Sequence, residues 1–158
     1  MKESRQELIG QLGTAMQRYQ RSTQAFDDAV GRRLRLNPAD LRCLDWLVDG
    51  PKTAGQLAEA TGLRPAATTT LIDRLSARGL VRRVPSEADR RRVLVEMTEE
   101  GFAQTWECYG PLVAEGNELL AGFTREQLVA MRDHLDTIRE MTDRHRERMT
   151  ERPATSEG

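Results

Sequence analysis

Eight arginines fall in one stretch of the chain, Arg64, Arg74, Arg78, Arg82, Arg83, Arg90, Arg91 and Arg92, against only Asp73, Glu87 and Asp89, a local excess of five positive charges. The 158-residue chain as a whole carries a formal net charge of −1, so the rest of it is acidic. Phosphate binding needs clustered rather than total positive charge, and guanidinium groups suit it because they present several donors in a planar fork. Taken alone, the run Arg90-Arg91-Arg92 is also what a solvated charged hairpin looks like.

Other chemistry is sparsely provided for. His134 and His145 lie eleven residues apart, on one helix face but about 16 Å apart along its axis, too far for a single metal ion. Cys43 and Cys108 show no CxxC spacing, which argues against a disulfide framework or a zinc knuckle and leaves buried or idle thiols. There is no phosphate loop, nucleophile elbow or HExxH motif. A binding protein is expected, not an enzyme, and without a metal or cofactor.

The elements that must hold the arginines are legible from periodicity and caps. Residues Ser4 to about Val30 place Leu8, Leu12, Ala15, Met16, Tyr19, Phe26 and Val30 at steps of three and four, an amphipathic helix. Asn37 and Pro38 open a second helix carrying Leu41, Leu44, Leu47 and Val48, stopped by Gly50-Pro51. Thr53 and Gln56 have capping-box spacing before a third, two-turn helix that leaves at Gly62. Pro65 opens a fourth, with Thr68, Leu71, Ile72 and Leu75 inward and Ala66, Thr69, Thr70, Asp73 and Ala77 outward, Arg74 on the flank and Gly79 at its close. Short outward side chains allow a helix to approach a groove closely.

Leu80 to Val84 and Arg92 to Met97 read as strands, the second with Val93, Val95 and Met97 on one face. The polar connection Pro85 to Arg90 puts its tip in solvent. Thr98 caps a fifth helix with Phe102, Trp106, Tyr109 and Val113 in line, which Gly110-Pro111 should bend. Thr124 and Gln127 open a sixth, whose Leu128, Met131, Leu135, Ile138 and Thr142 form a seam suited to helix pairing. Glu151 to Gly158 lack periodicity and are expected to be disordered. No apolar run approaches the roughly 18 to 20 residues of a spanning helix, and Met1 to Gly10 lack a signal-like apolar centre, so a cytoplasmic location is expected.

The resulting fold class is mainly α, a winged helix-turn-helix of six helices with a small β-wing, its terminal helices forming a dimerisation region. The expected division is 1–36 and 110–150 for that helical region, 37–109 for the winged helix-turn-helix and 151–158 for the tail, all within one structural domain. The terminal apolar stripes exceed what a three-helix head can cover, which predicts a homodimer.

The run LAEATGLRPAATTTLIDRLSARGLVRRVPSEADRRRVLVEMTEEG, Leu57 to Gly101, resembles the MarR family of bacterial transcription regulators, with the joint spacing of Asp73-Arg74-Leu75, Gly79-Leu80-Val81, Asp89-Arg90-Arg91 and Thr98-Glu99-Glu100-Gly101. The resemblance extends over about residues 4 to 148. It implies a DNA-binding transcription regulator, a repressor, acting as a homodimer on a pseudo-palindromic operator of double-stranded DNA. It further implies that the helix Pro65 to Arg78 enters the major groove through Arg64, Ala66, Ala67, Thr69, Thr70 and Arg74. Asp89, Arg90, Arg91 and Arg92 belong to the wing, with Arg90 and Arg91 in the minor groove and Asp89 orienting them.

Two positions depart from the family pattern: Arg64 stands where a serine is common, and Thr70 where a basic residue is common. Base readout is expected to differ accordingly, with more of the specificity carried by shape at the wing. Release by a small aromatic effector is also implied, at Met16, Tyr19, Trp46 and Trp106, residues that core packing explains as well. Two alternatives remain at this point: a winged-helix adaptor whose basic wing meets an acidic protein, and a thiol-based redox-sensing regulator using Cys43 or Cys108.

Overall fold

A computed structural model describes residues 3–89 and 91–150. Arg90 and the tail from Glu151 lie outside the described residues, so the expectations placed on them stop there. The elements are α1 (Arg5–Leu34), α2 (Pro38–Val48), β1 (Lys52–Thr53), α3 (Ala54–Thr61), α4 (Pro65–Ala77), β2 (Val81–Pro85), β3 (Val93–Met97), α5 (Glu99–Leu120) and α6 (Arg125–Thr150). Six helices and a three-stranded antiparallel sheet, ordered β1-β3-β2, make the winged helix-turn-helix.

Local chemistry accounts for most element starts. Ser4, Asn37 and Thr53 each form a complete capping box, with Glu7, Asp40 and Gln56 respectively. Each box satisfies two backbone donors that a helix start otherwise leaves orphaned. Thr124 and Gln127 make the same reciprocal pair ahead of α6.

α1 runs four residues further than its apolar stripe foretells, to Leu34, where a local turn closes it. Arg35 takes a left-handed conformation at φ 53°, and Leu36 N–H donates to the Gly31 carbonyl at 2.8 Å, the double closure of a Schellman turn. A side chain at Gly31 would press on the Leu36 carbonyl at 2.9 Å and on Leu41 at 3.2 Å.

The chain divides into two compact units between Tyr109 and Gly110. In the first, Cys43, Leu44, Leu47, Leu57, Leu71, Ile72, Leu75, Leu80, Val81, Val95 and Met97 form the core. Val93, expected to share the inner face of its strand, is instead exposed, since it pairs with Pro85 out towards the wing tip where no core reaches. Strand β1 is too short for any sequence pattern to reveal; it exists because Lys52 and Thr53 pair with Val95 and Leu94. The expected bend at Gly110-Pro111 leaves α5 an uninterrupted helix to Leu120, although Pro111 removes one backbone donor inside it.

In the second unit the end of α5 leads through Phe123 and the Thr124 cap into α6. No residue of α6 is buried. Leu112, Val113, Leu119, Leu120, Phe123, Met131, Leu135 and Met141 all remain exposed, as do Leu8, Ile9, Leu12 and Tyr19 on α1. No helix is long and apolar enough to cross a membrane among the described residues.

Candidate nucleic-acid interface

Helix α4 is held by its inner face and left open on its outer one. Thr68, Leu71, Ile72 and Leu75 are buried, while Ala66, Ala67, Thr69, Thr70, Asp73 and Ala77 are exposed, as the 3.6-residue period requires. Arg64 is the N-cap residue, exposed, and forms no ion pair among the described residues. Gly62, left-handed at φ 71°, ends α3 and lets the chain turn directly into α4.

The outward threonines have already placed their protons. Thr69 donates its hydroxyl to the Pro65 carbonyl and Thr70 to the Ala66 carbonyl, each at 3.1 Å. A hydroxyl has one O–H, so what each keeps for a ligand is an acceptor and a γ-methyl.

The arginines, alike in sequence, separate into two groups. Arg74, expected on the reading flank, is turned to Asp40 of α2, whose side chain is only 4% exposed. The same carboxylate accepts the Asn37 backbone N–H at 3.0 Å, so one buried acid ties the start of α2 to the middle of α4. Arg78 donates from both terminal nitrogens to the last carbonyls of α1, to Leu34 at 2.7 Å and Arg35 at 2.9 Å. Arg83 on β2 pairs with Asp73 at 2.7 Å and fixes the wing against α4. Arg82 pairs with its cross-strand neighbour Glu96 at 2.6 Å. Arg64, Arg91 and Arg92 form no ion pair among the described residues.

The wing is a hairpin in which Pro85 opposes Val93. Asp89, expected to orient the wing arginines, accepts the backbone N–H of Arg91 at 3.0 Å, and its carbonyl accepts the Arg92 N–H at 2.9 Å. It therefore shapes the turn that carries the arginines, the usual way an aspartate side chain mimics a backbone turn. Ser86 N–H closes the hairpin on the Arg92 carbonyl at 2.9 Å.

Behind the wing the glycine and threonine motifs form one knot. Gly79, at φ 73°, closes α4 while Leu80 N–H returns to the Leu75 carbonyl at 3.0 Å. Thr98 accepts the Gly101 N–H at 3.0 Å and donates its hydroxyl to the Gly79 carbonyl. A Cβ on Gly101 would stand 2.2 Å from the Leu80 carbonyl oxygen and 2.8 Å from Met97, so only glycine lets α5 start there. Asp40 and the β1 edge were missed as positioning residues; the capping pattern that starts α2 was the one available hint for Asp40.

The four residues expected to line a ligand pocket are not enclosed. Met16 is half-buried, while Tyr19, Trp46 and Trp106 are 74%, 45% and 61% exposed. Tyr109 of α5 donates its phenol to Asp27 of α1 at 2.8 Å and packs edge-on against Phe26 at 5.5 Å. Desolvation, the Asp27 hydrogen bond and the nearby carboxylates push the Tyr109 phenol up. Asp45 on α2 is raised by desolvation first and then by Asp27 and Asp49. Cys43 is fully buried and its thiol is pushed up to about 12 by desolvation, with Asp40 adding to it, so it stays protonated and unreactive.

The MarR family model matches residues 36–92. The uncharacterized HTH-type transcriptional regulator YcgE of Bacillus subtilis is 34% identical over 119 residues, 73% of this chain and 77% of that protein. The crystal structure of a MarR family transcriptional regulator from Silicibacter pomeroyi superposes with a TM-score of 0.62 at 26% identity, over 88% of this chain and 94% of that one. NadR, solved in complex with 4-hydroxyphenylacetate, shares the fold at a TM-score of 0.58 and 22% identity, over 87% of this chain and 96% of its own.

Proposed function

This chain belongs to the MarR family of HTH-type transcriptional regulators, and on that premise we propose that it acts as a homodimeric repressor on a pseudo-palindromic operator. The observation that carries the reading is the division of the arginines. Arg74, Arg78, Arg82 and Arg83 are taken up in holding α4 and the wing in place, while Arg64, Arg91 and Arg92 are left for phosphate and groove. The reading surface is then Arg64, Ala66, Ala67, Thr69 and Thr70 on α4, with Arg91, Arg92 and Arg90 on a wing shaped by Asp89. Arg74 becomes a positioning residue.

The unpartnered apolar faces of α1, late α5 and α6 support the dimer, because a second copy would remove them from water. Two reading heads related by a twofold axis match half-sites about one helical turn apart. Repression follows from occupancy: a dimer lying on the duplex blocks a promoter that overlaps its site. Cytoplasmic residence accords with that target.

A small aromatic effector completes the proposal, bound near Met16, Tyr19, Trp46 and Trp106. The carboxylates Asp27, Asp45 and Asp49 at the same corner repel an aromatic acid, so a neutral or cationic aromatic is the class.

The test is selection of bound duplexes from random sequence together with sedimentation of the full chain. The expected result is a dimer, a palindromic site and affinity that falls with salt. Four arginines per protomer on that surface, eight per dimer, give a slope of log K against log salt of about −7. A monomer, or a chain that ignores every duplex at low ionic strength, refutes the proposal. A basic wing serving an acidic protein partner would select no palindrome.

A further inference from the structure

Resting on the DNA-binding reading, a narrower statement about sequence preference comes from the donors that α4 lacks. At Ala66, Ala67, Thr69 and Thr70 the outward face of α4 offers no free side-chain donor. Ala66, Ala67 and Ala77 have none, and Arg74, on the flank, turns one terminal nitrogen to Asp40 while its side chain stays 43% exposed. Thr69 and Thr70 have committed their only protons to Pro65 and Ala66. The one acid on that face, Asp73, is occupied by Arg83. Arg64, at the N-terminal edge, forms no ion pair among the described residues, and on the flank Arg74 keeps an exposed side.

The major-groove edge of guanine presents only acceptors, N7 and O6, and cannot be hydrogen-bonded by groups that only accept. Adenine presents an N6 amine, and its thymine partner presents a C5 methyl. An A·T pair therefore satisfies both properties left on the threonines, the acceptor oxygen and the γ-methyl. A G·C pair can offer an amine through cytosine, but it offers no methyl.

We propose that Thr69 and Thr70 read A·T pairs at the centre of each half-site through thymine methyl and adenine amine, and that guanine is not specified beneath them. Any guanine the helix reads is confined to the positions reached by Arg64 or by the exposed side of Arg74.

The experiment uses the full chain and the duplex it selects from random sequence. Each thymine of the half-site is replaced in turn by uracil, which removes the methyl and leaves the pairing intact. With the unsubstituted protein, affinity drops about fourfold at the thymine beneath Thr70, the value of one buried methyl group. Thr70→Ser keeps the hydroxyl and abolishes that thymine-to-uracil difference, whereas Thr70→Val keeps the methyl and retains it. Both variants alter an exposed position, and retention of dimer mass and helix content accompanies the binding measurement.

Guanine fixed at the half-site centre, or equal binding of thymine and uracil duplexes at every position, overturns the inference while leaving the regulator reading in place. Selection of no duplex at all overturns the regulator reading and this inference with it.

Discussion

Replacing Arg74 by alanine separates holding α4 from contacting DNA. Its guanidinium is 43% exposed, but the Asp40 carboxylate it meets is 4% exposed and has as its other described donor the Asn37 amide. Breaking a fully buried pair costs about 3–5 kcal/mol, and a hydrogen bond to a charged group contributes about 1.5–3 kcal/mol. The half-open arginine side lets water replace part of what is lost, and Asp40 near the N-terminus of α2 keeps up to about 1 kcal/mol from the helix dipole. The expected loss is therefore about 2 kcal/mol. Urea unfolding at fixed protein concentration should show a lower midpoint with an unchanged slope. In an Asp40→Asn background, where no buried charge is stranded, the same substitution should cost under about 0.5 kcal/mol. The salt dependence of DNA binding by folded Arg74→Ala should match that of the parent. A stability change under about 0.5 kcal/mol, joined to a salt slope shallower by about 0.9 per protomer, would show that Arg74 faces phosphate and that the assigned role is wrong.

Other substitutions test other parts of the site. Arg91→Ala should leave unfolding unchanged and flatten the salt slope by about 0.9 per protomer, about 1.8 for a dimer, with base preference retained; quantitative binding across a salt series checks it. Gly101→Ala drives a methyl into the Leu80 carbonyl and Met97 and should destabilise by about 1–3 kcal/mol, read as a lower thermal midpoint. Because the Asp45 carboxyl is raised in the folded chain, its contribution to stability is present below the unfolded value near 3.8 and is lost as pH rises through the folded one. Asp45→Asn should accordingly raise the melting temperature at pH 7, with the gain disappearing towards pH 4; an equal gain at both pH values contradicts the assignment.

What could be read from the chain alone was whatever depends on residues three or four apart. The capping pairs Thr53 with Gln56 and Thr124 with Gln127, the Asn37 cap, and the buried stripe Thr68, Leu71, Ile72 and Leu75, are local, and all were legible. The partners of the arginines are not local. Arg74 lies 34 residues from Asp40, and Arg78 lies 44 from Leu34. No periodicity marks such pairs, because a long charged side chain can meet any acid or carbonyl that the packing brings near. The same holds for β1, whose two residues become a strand only by pairing with β3. Asp89 is the intermediate case: its place in the wing follows from the motif, while its bond to the Arg91 backbone N–H is set by the turn itself. Local spacing thus determined which helices form and which faces they bury, and tertiary packing decided which positive charges remain free to meet another molecule.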